Sequence, residues 1–103
     1  MELMEWLETR TPEAPVVLRV RIADLVLDHP EWESMPLPEA LMAAGERLMQ
    51  DVLAAPPRNR DSALDLLAAD ACVTYAFEAA ADDPVRIAGL AEQAMARIAL
   101  LAE

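Results

Sequence analysis

Residues 62–81, SALDLLAADACVTYAFEAAA, contain neither Gly nor Pro and are apolar almost all the way round. At about 100° per residue, Leu66, Leu67, Val73 and Phe77 cluster on one side with Asp70 and Thr74 among them. Ala68, Ala69, Cys72, Ala76 and Ala79 line the opposite side. A helix without a polar face has to be enclosed, so the sequence predicts this one at the centre of the fold. Its bulky side is expected in the core, which makes Leu66 and Phe77 core residues and Asp70, with Thr74 beside it, a buried polar site. A carboxylate so placed must be paired, hydrogen-bonded or protonated. The expected partner is Arg19, Arg47, Arg86 or Arg97. The functional alternative is a carboxylate at the floor of a pocket between helices, where bundle proteins build their sites.

The 103 residues suffice for one domain that folds without disulfides or a structural metal. Alanine supplies 21 of the residues and glycine only 2, a balance that favours closely packed helices over strands. The fold class predicted is all-α: a compact four-helix bundle with a short N-terminal helical arm, residues 1–103 forming a single domain.

Prolines divide the chain. Residues 1–10 form the amphipathic arm, with Leu3, Trp6 and Leu7 on one side. Thr11 and Pro12 read as an N-cap and first helical position, opening a helix over about 12–28. Leu18, Ile22, Leu25 and Val26 share one stripe of it, and Val16, Val20 and Leu27 a second. Residues 16–22, VVLRVRI, also alternate as a strand would, but a lone strand has no partner in a helical chain. A loop carrying Trp32 and Met35 follows. The next helix spans about 38–55, with Gly45 in the middle of its apolar stripe, a residue whose cost to the helix is offset by close approach of a neighbour. Ser62 and Asp65 read as a capping box for the helix over 62–81. Asp83 with Pro84 caps the last helix, 84–102, and the two residues between these helices imply an antiparallel hairpin.

Eight arginines and no lysine face nineteen carboxylates, for a formal net charge of -11. Such a surface repels phosphate backbones and anionic lipid heads, which excludes nucleic acid and membrane surfaces as partners and leaves a basic protein as an electrostatic match. The single Cys72 permits no intrachain disulfide, the acidic N-terminus has no signal-peptide pattern, and no apolar run reaches the length of a membrane span. The expected location is cytoplasmic.

Catalytic constellations lack parts. Nothing reads as a Glu-x-x-His pair for a di-iron site, since the only histidine, His29, has no Glu three residues before it. His29 at a helix end reads as a C-terminal cap. Cys72 has no nearby cation to activate it, and there is no glycine-rich phosphate loop. Asp82-Asp83 resembles the start of the Asp-Asp-x-x-Asp diphosphate motif of isoprenoid synthases, but Arg86, followed by Ile87, stands where its last carboxylate belongs. Asp61-Ser62-Ala63-Leu64-Asp65 resembles the Asp-Ser-Leu of acyl carrier proteins over five residues, with Ala63 in place of that family's leucine. That resemblance implies a phosphopantetheine carried on Ser62.

These observations point away from an enzyme and predict no cofactor and no metal. The expected role is protein–protein association, as a self-associating subunit. Trp6, Val16, Val20, Leu27 and Trp32 are the candidate interface, because a four-helix monomer this small leaves one apolar side uncovered, which makes a homo-oligomer, most simply a dimer, the expectation. The alternatives are an acidic neutralising partner of a basic protein, as in antitoxin or immunity pairs, and a carrier or ligand-binding bundle.

Overall fold

The computed structural model describes residues 3–10, 13–56 and 60–101. Helices are α1 (Leu3–Glu8), α2 (Val16–Leu27), α3 (Leu37–Ala54), α4 (Arg60–Ala79) and α5 (Pro84–Leu101), with a 3-10 turn at Pro30–Ser34 and no strand among the described residues. Residues 16–22 are thus helical. The radius of gyration, 13.3 Å, is that of a close-packed domain of about 100 residues.

The hub is α3. It packs against α1, α2, the 3-10 turn, α4 and α5, and its contact with α4 is the most extensive in the fold. Leu41, Ala44 and Leu48 are fully buried on it, and Gly45 is buried among them. The partner face of α4 is its small one: Ala68, Ala69, Cys72 and Ala76 are completely buried, whereas Leu66 and Leu67 are 48% and 61% exposed. The expectation that the bulky side of residues 62–81 faces the core is therefore overturned. Leu66 lies outside the core, and Phe77 is half-buried at its edge.

Two physical terms favour this rotation. A face of alanines lets two helix backbones approach closely, and Gly45 marks the point of approach. A Cβ built there would stand 3.3 Å from the Ala69 carbonyl oxygen and 3.4 Å from Cys72 Cβ. The opposite rotation would bury Asp70, and an unpaired carboxylate costs more to desolvate than Leu66 regains, since a fully buried leucine is worth about 2 kcal/mol.

The arm docks as a sixth packing element. Leu7 is fully buried, and Trp6 and Leu3 nearly so. Trp6 meets Tyr75 of α4 edge to face at 5.8 Å, and the Arg10 guanidinium sits 4.0 Å over the Trp6 ring and 3.8 Å from Glu78.

Several helix ends differ from expectation. The predicted cap Thr11 and Pro12 lies outside the described residues, and α2 begins only at Val16, behind an extended Pro15; a residue preceding proline, here Ala14, is driven away from helical geometry. Helix α4 starts at Arg60, so Ser62 is already inside it and forms no capping box with Asp65. Asp83 does cap α5, its Oδ1 accepting from the Arg86 N–H at 3.1 Å. Four residues rather than two separate α4 from α5, and α5 lies mainly on α3 instead of folding back along α4.

Candidate functional site

The polar groups singled out from the sequence do not converge on one site. Asp70 and Thr74 are both exposed, which corrects their placement in a buried site, and among the described residues Asp70 joins no ion pair. Its four candidate arginines are engaged elsewhere: Arg19 with Glu13, Arg47 with Asp51, Arg97 with Glu46, and Arg86 with Asp83 and, most closely, with Glu39 at 2.8 Å.

The paired carboxylate of α4 is Asp65. Arg21 of α2 donates to it twice, Nε to Oδ1 at 2.6 Å and Nη2 to Oδ2 at 3.2 Å. Asp51 of α3 lies 3.6 Å from the same guanidinium and is itself 3.3 Å from Arg47. Hydrogen bonding to Asp65 raises the Arg21 pKa above its ordinary value despite partial burial. This network ties α2, α3 and α4 together.

Cys72 is buried against α3, and desolvation pushes its thiol up to about 12, the environment of an inert cysteine. His29 sits one residue past the Asp28 cap of α2, and its backbone N–H donates to the Val26 carbonyl at 3.1 Å. Its ring stacks on Trp32 at 4.2 Å, and its Nδ1 lies 2.9 Å from Glu31 Oε1, a hydrogen bond that lowers the Glu31 pKa. Among the described residues no group of three potential ligands could hold a metal ion. Ser62, where an acyl carrier would bear its prosthetic group, is half-buried inside α4, with its Oγ enclosed and without a hydrogen-bond partner among the described residues.

What the surface offers is apolar. On α2, Val16, Val17 and Val20 are 65%, 58% and 54% exposed and share a shallow groove with Leu64 of α4. On α5, Met95, Ile98 and Leu100 are more than half exposed, and Ile98 opens onto a cleft with Met42, Met49 and Val73 bridged by the Glu46–Arg97 pair at 3.6 Å. A cavity of about 290 Å³ lies between α1, α2, the 3-10 turn and α3. Of the interface residues expected from sequence, Val16, Val20 and Leu27 are exposed, whereas Trp6 and Trp32 are 8% exposed and belong to the core. Both tryptophans sit in short segments whose burial depends on which neighbours they dock against, something periodicity does not encode. The openness of α5 is not legible in its periodicity: Leu90 is buried, while Ile98 of the same stripe stays 59% exposed.

No protein-family model, no curated protein and no solved structure matches the chain. No helix among the described residues is long and apolar enough to cross a membrane.

Proposed function

We propose that this chain is a protein-association module, working by binding rather than catalysis, and that its first assembly is a homodimer through the valine face of α2. The observation that carries the reading is the run Val16, Val17 and Val20, each more than half exposed, continuous with Leu64 of the adjoining helix. Rigid helical sites bearing adjacent β-branched side chains lose little entropy on being covered, and contiguous exposed apolar patches mark interfaces. The groove contains one ion-paired cation, Arg21, and one carboxylate, Asp24, so local charge is balanced although the whole chain is strongly acidic. A cytoplasmic setting suits the single reduced cysteine.

Light scattering across a concentration series tests this. The expected particle is twice the 11.3 kDa chain, with dimerisation favoured by salt because net charges of like sign repel. Replacing Val16 and Val20 together with Glu should leave helicity intact and yield a monomer. A wild-type particle that stays at one chain at the highest concentration reached would end the homodimer reading.

A second reading, an acidic partner of a basic protein, is favoured by the carboxylates around the cavity beside α2.

A further inference from the structure

The cavity between α1, α2, the 3-10 turn and α3 is apolar inside and acidic at its mouth. At about 290 Å³ it is roughly twice the ~150 Å³ apolar cavity that takes up benzene. Leu3, Met4, Val26, Trp32 and Met35 wall it, and Glu33 is the only charged residue among those lining it. Two further exposed carboxylates, Asp28 and Glu31, stand next in the chain to the lining residues Leu27 and Trp32, Glu31 being held by His29 Nδ1 at 2.9 Å, which leaves Glu33 and Asp28 as the free charges of the rim. The arginine one turn before Ala23, Arg19, is turned away: its Nε donates to the Ala14 carbonyl at 3.1 Å and its Nη2 lies 3.9 Å from Glu13. Among the described residues the lining carries no cation, and the nearest titratable base, His29, stacks on Trp32 and is held to Glu31.

An apolar chamber with an uncompensated acidic rim is complementary to a hydrophobic side chain flanked by positive charge. We propose that this cavity receives an aromatic or leucine-sized anchor from a basic segment of a partner protein, with the flanking Arg or Lys side chains reaching Glu33 and Asp28. The inference rests on the reading of the chain as an association module but uses a surface separate from the valine face. A second copy is a poor occupant. It brings a net charge of -11, and its Arg19, Arg21, Arg47, Arg86 and Arg97 are already paired with carboxylates of their own chain.

The test is fluorescence anisotropy of a labelled short synthetic peptide, one central Phe with Arg on either side, titrated with the full chain. Saturable binding is expected, weakening with added salt as the rim charges are screened. Exchanging the peptide's Phe for Ala should weaken it about thirtyfold, the scale of a buried anchor. Ala23→Leu, which fills the cavity from a half-buried position, should abolish binding with unchanged circular dichroism. Glu33→Gln, on the exposed 3-10 turn, should weaken binding severalfold and flatten its salt dependence. Absence of saturable binding, equal binding of a Glu-flanked peptide, or wild-type affinity in both protein variants would overturn the proposal. Its failure is separable from that of the homodimer. Self-association strengthens with salt and is lost with Val16 and Val20, whereas peptide binding weakens with salt and is lost with Ala23 and Glu33.

Discussion

A Cβ built on Gly45 of α3 would lie 3.0 Å from Cγ2 of Val73 on α4. The same Cβ would meet the Ala69 carbonyl oxygen at 3.3 Å, a backbone atom that cannot step aside without moving α4. Alanine gains about 1 kcal/mol over glycine inside a helix, while overpacking a close contact costs about 1 to 3 kcal/mol. Gly45→Ala should therefore be net destabilising by about 1 kcal/mol. Gly89 of α5 has nothing within 4 Å of its Cβ position, so Gly89→Ala keeps the whole propensity gain. Urea denaturation of the two variants should give shifts of opposite sign, and a Gly45→Ala protein as stabilised as Gly89→Ala would contradict the packing described.

The stability phenotype of the α4 carboxylates should fall on Asp65 and spare Asp70. Asp65 holds a two-point hydrogen bond with Arg21, and its side chain is 13% exposed. Asp65→Ala leaves Arg21 with the more distant Asp51 and Asp24 and should cost about 1 to 3 kcal/mol. Asp70→Ala, at an exposed position, should stay within about 0.5 kcal/mol. Thermal melts of both decide the matter, and a large loss in Asp70→Ala would restore the buried carboxylate.

The pattern of apolar residues made the helical class legible, along with the close approach at Gly45, the Asp83 cap and the inner stripe of α2 through Ile22 and Leu25. It failed on α4 because two faces competed. Bulk pointed to Leu66 and Phe77, whereas close backbone packing and the hydration of Asp70 selected Ala68, Ala69, Cys72 and Ala76. A wheel ranks faces by hydrophobicity and has no measure of how near a partner backbone can come. Arg21–Asp65 was hidden for a related reason. With both faces of α4 nearly apolar, Asp65 was assigned to a local cap, when its partner lies 44 positions away in sequence.

Core truncations should follow the observed burial. Leu48 is fully enclosed, and Leu48→Ala should cost about 2 to 5 kcal/mol. Phe77 is half-buried at the rim, so Phe77→Ala should cost about half of what an enclosed aromatic loses, about 2 kcal/mol. Chemical denaturation of both variants checks the order, and a Phe77→Ala loss larger than that of Leu48→Ala would reverse the assigned orientation of α4.

Alkaline pH should weaken the fold through Cys72. Burial holds its thiol protonated to about 12 against an ordinary 9.0, so the folded state keeps a proton that the unfolded chain releases. Stability from this group is complete below about pH 9 and is lost as pH climbs from there towards the folded value. Tyr75, also raised by burial and by Glu78, adds loss of the same sign at the upper end. Urea midpoints should fall between about pH 8 and pH 10.5, and Cys72→Ala should reduce that slope by removing the thiol's share. The same burial makes native Cys72 unreactive, so iodoacetamide labelling at neutral pH should proceed only as fast as the protein opens and should accelerate sharply in urea. Rapid labelling of the folded chain would mean that the alanine face of α4 is open to solvent, which the close contact at Gly45 does not allow.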